Sequence, residues 1–219
     1  PIWPKLLGKY GVSVAPFQPS NVGYEVDFSK ELLREAEGKP LKNCVLKTEK
    51  GQKRGELVLT RYGLEGTPIY FVGTPGKATL DFQPDLSSED LLRQLSRPTR
   101  ENLSPFRRLK KLGRLGEGPL ALLFHHLPEK DRALARSDLQ ILVGFVKNFP
   151  IELRGPRPLK ESISSSGGLL WRELDENLMI LKLPGVFACG EMIEWDAPTG
   201  GFLIQASVAL GYQAAVSAI

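Results

Sequence analysis

Cysteine and histidine are scarce in this 219-residue chain, with two of each. Cys44 and Cys189 cannot build a disulfide framework and show no metal-ligand spacing, which argues against a cystine-stapled module and against a metal site. A reducing cytoplasm is the expected compartment. His125 and His126 are adjacent, so they fall on different faces of a helix and make poor joint ligands. No basic start followed by an apolar core marks a signal peptide. Charge is close to balance, 29 Lys+Arg against 25 Asp+Glu for a net +4, which permits an anionic cofactor or nucleic acid and demands neither. The one apolar stretch near membrane-span length, Gly201 to Ile219, is interrupted by Gln205, Ser207, Gln213 and Ser217 and lacks a basic flank. It is expected as a buried core helix, with no membrane partner. Repeats and low-complexity tracts are absent. What remains is the composition of an ordinary globular protein, 42% hydrophobic and 25% charged, long enough for one large domain or two small ones. The chain opens at Pro1 without a methionine and stops inside a helical pattern, and a piece of a larger protein is expected.

Pro1 to Gly11 reads as a short helix stopped by Gly11. Val12 to Phe17 alternates as a strand, with Pro16 and Pro19 bracketing its exit, and Asn21 to Phe28 is a second strand. Ser29 caps a charged helical turn that ends at Gly38. Leu41 to Thr48 and Gly55 to Thr60 form a hairpin around a charged, glycine-containing turn. Arg61 to Pro68 is glycine-rich and leads into apolar Ile69 to Val72, and Lys77 to Phe82 is another strand. Four to six short strands in about eighty residues predict a small barrel or meander. From Ser87, an N-cap with Asp90 three residues on, the period becomes helical. Ser88 to Leu95, Asn102 to Leu112, Pro119 to His126 and Ser137 to Lys147 are predicted helices, with Leu139, Leu142, Val143 and Val146 on one face. Strands return at Ile151 to Leu153, Lys160 to Ser164 and Gly168 to Glu173.

The closing segment carries the chemistry. Val186 to Cys189 reads as a short buried strand that ends on Gly190-Glu191. A loop follows, and Gly200-Gly201 then opens a helix that runs from Phe202. A carboxylate at a strand's C-terminal edge sits where α/β sheets bind ligands and accepts hydrogen bonds from sugar or ribityl hydroxyls. Uncrowded amides at a helix N-terminus suit an anion or a polarised carbonyl.

Three stretches together resemble a known family. Val186-Phe187-Ala188-Cys189-Gly190-Glu191 with Pro198-Thr199-Gly200-Gly201-Phe202 is similar to the C-terminal FAD motif of the aminoacetone-oxidase-like, BaiN-type FAD-dependent oxidoreductases. Gly55-Glu56-Leu57-Val58-Leu59-Thr60-Arg61-Tyr62-Gly63-Leu64-Glu65-Gly66 and Ser165-Ser166-Gly167-Gly168-Leu169 resemble two further signatures of that family, in the right order. The resemblance implies an α+β protein in which a translation-factor-like antiparallel β-barrel and a helical cluster interrupt a Rossmann-type FAD domain. By that analogy residues 1–20 and 149–219 belong to the FAD domain. Residues 21–148 form the insert, barrel to about 85 and helices from 86.

The resemblance also implies site roles. FAD accepts hydride from a nicotinamide, NADH or NADPH, or from a substrate of unknown identity, and negative charge develops over its N1 and C2 carbonyl oxygen. The Gly201 and Phe202 amides stabilise that charge. Glu191, following Gly190, holds ribityl hydroxyls. Ser166, Gly167 and Gly168 turn near the isoalloxazine edge, with glycine allowing backbone to approach a flat ring, and Thr199 and Gly200 complete the loop. Catalytic residues are not identified.

Two features depart from the family pattern. Leu203 stands where many relatives carry asparagine. No G-x-G-x-x-G occurs, since Gly113-Arg114-Leu115-Gly116-Glu117-Gly118 lies between helices and follows no strand. The expectation is therefore a flavin-side half site that does not hold FAD stably by itself, an inactive piece of an oxidoreductase whose partner is the missing N-terminal segment. The alternative is a nucleic-acid or protein-binding module on the barrel and the basic run Arg107-Arg108-Leu109-Lys110-Lys111. For that run a solvated helix face is the simpler expectation, since no aromatic interleaving accompanies it in sequence, and a nucleic-acid partner is not expected. Cys189 is expected as a packed apolar residue.

Overall fold

A computed structural model describes residues 2–99 and 102–219. Pro1, the first residue of the predicted opening helix, lies outside the described residues. Helix α1 (Trp3–Gly8) leads to strand β1 (Val14–Ser20). Strand β2 (Tyr24–Glu25), helix α2 (Lys30–Ala36), strands β3 (Pro40–Thr48), β4 (Gly51–Thr60) and β5 (Gly63–Glu65), helix α3 (Thr67–Val72) and strand β6 (Gly76–Asp81) follow. Helices α4 (Ser88–Leu95), α5 (Pro105–Leu112), α6 (Glu117–His125), α7 (Glu129–Ser137) and α8 (Leu139–Lys147) precede β7 (Phe149–Leu153). Strand β8 (Ser164–Leu169) and helix α9 (Phe202–Ser217) complete the order. The class is α+β. The chain divides into two compact units, one of residues 23–156 and one assembled from residues 2–22 and 157–219.

The first unit is built on a six-stranded antiparallel sheet in the order β2-β5-β4-β3-β6-β7. The chain just past β7 returns to β2. Glu25 N donates to Gly155 O at 2.8 Å, Arg154 N donates to Glu25 O at 2.9 Å, and Tyr24 bridges Pro156. The sheet thus curls into a half-barrel whose two ends are joined by these few bonds. Inward residues of alternate position, Leu41, Leu46, Leu57, Leu59, Leu64 and Leu80, are essentially inaccessible to solvent. Leu91, Leu95, Leu109, Leu122, Leu142 and Val146 from the helices complete the same core. Ser87 and Ser29 cap as predicted, accepting from Asp90 N at 3.0 Å and Leu32 N at 3.2 Å.

Several expectations change in this unit. Asn21 to Phe28 contributes only Tyr24–Glu25, because Asn21 takes a left-handed φ of 45° that ends extension. Ile69 to Val72 lies in a helix that Gly66 and Pro68 start. Helix α7 was not foreseen. Its sequence offers little beyond Leu134 and Ala135 as an apolar face, and Ala135 is fully buried. Phe149–Leu153, expected with residues 149–219, instead pairs with β6, so the boundary falls after Pro156.

In the second unit β1 and β8 form a two-stranded antiparallel sheet with a bulge between Ala15 and Gln18. Strand β1 continues through both prolines rather than ending at them. Pro16 falls in the bulge, and a sheet of two strands has only edge strands, where a missing N–H is tolerated. Strand β8 spans Ser164–Leu169, between the two strands predicted there, and 3-10 turns occupy Leu159–Glu161 and Trp171–Glu173. Val186 to Cys189 is not a strand. Val186 is 43% exposed, Val186 N turns back to Leu183 O, and only an isolated Met179–Phe187 bridge remains. A continuous apolar run needs neighbouring strands on both sides to become a buried strand, and among the described residues this one is paired on one side only, with Leu178–Ile180.

Helix α9 is likewise not a buried helix. Its small residues face inward: Ala214 is buried, Gly211 lies near Cys189 Sγ, and Ser207 lies near Gly190. Ile204, Val208, Tyr212 and Val216 form an exposed stripe at four-residue spacing. Among the described residues no helix is long and apolar enough to cross a membrane.

Candidate functional site

The segments singled out in the sequence meet within the second unit. Strand β8 carries Ser166, Gly167 and Gly168, with Gly168 opposite Ala15 and Ser166 opposite Gln18. A Cβ on Gly167 would run into the Pro16 carbonyl oxygen, and one on Gly168 would lie 2.5 Å from the Met192 carbonyl oxygen. The second contact arises because a 3-10 turn, Gly190–Met192, lies against β8 and Ile193 bridges Leu169 in parallel. The close approach these glycines permit is backbone on backbone, which any side chain would block.

Gly190 faces helix α9, where a Cβ would sit 3.4 Å from Ser207 Oγ. Trp195 Nε1 donates to Gly190 O at 2.9 Å and fixes the turn's first carbonyl. Glu191 is exposed and lines a groove of about 450 Å³ with Trp3, Phe17, Ser164 and Ser165. The Trp3 and Phe17 rings meet edge-on with centroids 5.8 Å apart.

The loop before α9 is held by residues the sequence reading passed over. Asn21 is buried, and its Nδ2 donates to Ser164 Oγ and to Ala197 O, each at 2.7 Å. Its Oδ1 accepts from Thr199 N at 3.2 Å. The preceding Ser20 Oγ donates to the Asp196 carboxylate at 2.6 Å. Two consecutive residues at the end of β1 therefore tie the start of β8 to the Asp196–Thr199 loop. The only local signal was an asparagine just past a strand, which reads equally well as a turn residue.

Gly201 is the N-cap of α9, with φ 89°, and no side chain caps the helix. The first intrahelical bond from the chain beyond it is Gln205 N to Gly201 O at 3.0 Å, which leaves the amides of Phe202, Leu203 and Ile204 without helical partners. Nothing lies within 4 Å of a Cβ position on Gly201, and Gly200, Gly201 and Phe202 are exposed. Unpaired donors, an open approach and the positive end of a 16-residue helix together make an acceptor site for an anion or polarised oxygen.

The remaining reactive side chains are structural. Burial pushes the Cys44 thiol up to about 11, so it is not a nucleophile at neutral pH. Cys189 packs against the core of the second unit, as expected. His125 Nε2 lies 2.8 Å from Glu35 Oε2, and His126 sits between the rings of Phe28 and Phe149.

Residues 18–164 match the family model described as HI0933-like protein barrel and H2TH domain. The chain belongs to the HI0933-like family. Its members are FAD-dependent oxidoreductase-like proteins. The match covers the whole barrel and all five helices from α4 to α8. The stretch from Gly55 to Gly66 lies in the barrel. Its first half is β4, its second half is β5, and Tyr62 and Tyr70 both hydrogen-bond Glu65 at 2.5 Å. Burial and that carboxylate raise the Tyr70 phenol well above its ordinary range. Ser166, the Gly190–Met192 turn and the start of α9 lie beyond the matched stretch.

Proposed function

We propose that the second unit of this HI0933-like chain supplies the flavin-side half of an FAD site, in a flavoprotein of the aminoacetone-oxidase-like, BaiN-type group. The observation that carries the reading is the uncapped start of α9 at Gly200-Gly201. Free amides at an open, left-handed glycine suit the acceptor edge of a flavin ring, and the residues present fit that group. When bound, FAD supplies a two-electron hydride acceptor, with a nicotinamide dinucleotide or the substrate as donor.

The chain's own residues then have separable roles. The amides of Phe202 and its successors stabilise negative charge on an oxygen or nitrogen at the helix start, and because they are already oriented they do so without reorganisation. Glu191, exposed on the groove, accepts hydrogen bonds from ribityl hydroxyls. Ser166 to Gly168, packed against the backbone of Pro16 and Met192, hold the Gly190–Met192 turn in place. Asn21, Ser20 and Asp196 act as positioning residues that hold the loop ahead of the amides.

Titration with FAD, followed by quenching of flavin fluorescence, tests the reading. Without a G-x-G-x-x-G loop to cradle pyrophosphate, we expect weak binding, with FMN and FAD bound about equally. Gly201→Val forces a branched side chain onto φ 89° and should abolish binding. Unchanged flavin affinity in that variant would remove the assignment, and tight binding selective for FAD would show a complete site in place of half of one.

A further inference from the structure

The first unit carries a second concave surface unconnected with flavin. Helices α2, α5 and α6 enclose a groove of about 730 Å³ lined by Phe106, Arg107, Lys110, Leu120 and Phe124. It adjoins a second hollow of about 550 Å³ lined by Lys42, Arg114 and the start of α6. Lys39 and Glu117 border both and form an ion pair at 2.5 Å.

Both acids at this surface have a hydrogen-bond partner. Glu117 is paired with Lys39, and Glu35 lies 2.8 Å from His125. Arg107, Lys110, Lys42 and Arg114 line the two hollows and have no salt-bridge partner among the described residues. Two aromatic rings line the same hollow as Arg107 and Lys110. Phe106 and Phe124 meet edge-on with centroids 5.4 Å apart, and the Arg136 guanidinium lies 5.2 Å from the Phe124 centroid. Phe124 is 42% exposed, so part of its ring remains open to a ligand beside Arg136 and Phe106.

We propose that this paired groove binds single-stranded nucleic acid, with bases stacking at Phe124 and Phe106 and phosphates on Arg107, Lys110, Lys42 and Arg114. A track of cations without salt-bridge partners beside accessible aromatic rings is the arrangement that holds single strands without reading their sequence. An acidic peptide would satisfy the cations and leave the aromatic rings unused.

Fluorescence anisotropy of the 219-residue chain with a labelled oligouridylate of about 12 nucleotides tests the inference. Binding should weaken steeply with salt. Arg107→Gln with Lys110→Gln removes two phosphate contacts and should lower the slope of log affinity against log salt by about 1.4. Phe124→Leu keeps an apolar side chain at an exposed position and should weaken binding roughly tenfold, with Phe124→Tyr restoring it. An unchanged slope in the double variant, full affinity in Phe124→Leu, or equal competition by a glutamate-rich peptide of matched charge would each overturn the proposal. So would absence of binding at low salt.

Discussion

At the scale of the residue, Asn21 ties together more of the candidate flavin site than any motif residue does. It occupies a left-handed conformation, is buried, and joins Ser164, Ala197 and Thr199. Asn21→Ala leaves a buried hydroxyl, a carbonyl and an amide without their partner. A loss of about 2 kcal/mol is expected in urea unfolding, from unsatisfied buried groups together with the strain of alanine at positive φ. Asn21→Asp keeps the acceptor and the left-handed preference but loses the two donated bonds, and should fall between wild type and alanine. Equal stability of all three would show that the loop is held by something else. The motif glycines, by contrast, were legible in sequence as sites of close approach. What approaches them was not, because the neighbouring carbonyls of Pro16 and Met192 come from segments well separated along the chain.

At the scale of the element, the helical cluster is organised around the barrel through partly buried rings. His126, the C-cap of α6, is packed by Phe28 and Phe149, and burial holds its imidazole below the ordinary 6.5, with Asp27 pulling weakly the other way. The folded state therefore favours the neutral ring. Its contribution is complete above about pH 6.5 and is lost as pH falls through the depressed folded value. The urea midpoint should drop between about pH 7.5 and pH 5.5, and His126→Leu should flatten that drop. A His126→Leu profile parallel to wild type would place the titration elsewhere. The helices α4, α5, α6 and α8 were visible in sequence from caps and apolar period, whereas α7 was hidden by its charged composition. The predicted strand at 186–189 failed for a related reason. Apolar continuity reports burial potential, but a strand also needs partners for its ladder.

At the scale of the whole molecule, the two units are built differently. Residues 23–156 are contiguous, join the two ends of their own sheet through Glu25, Arg154 and Gly155, and bury a large leucine core. Expressed alone, this segment should unfold in one cooperative transition, seen identically by far-UV circular dichroism and by tyrosine fluorescence. A broad transition with strong binding of a hydrophobic dye would sink that expectation. The other unit is assembled from two separated stretches, has a smaller core, and leaves the large side chains of α9 exposed. The flavin proposal rests on that unit and the nucleic-acid proposal on the barrel unit, so each stands or falls by its own titration.

The sequence by itself determined the composition class, the switch from strands to helices near Ser87, the glycine pairs and the family likeness, because each is local in the chain or repeats with a short period. Only the tertiary structure decided that the chain just past β7 returns to β2, that Asn21 anchors the loop before α9, and that Phe124 joins Arg107 and Lys110 on one surface. Those facts depend on contacts between distant residues. No local pattern encodes them until the chain has paid the entropy of bringing its segments together.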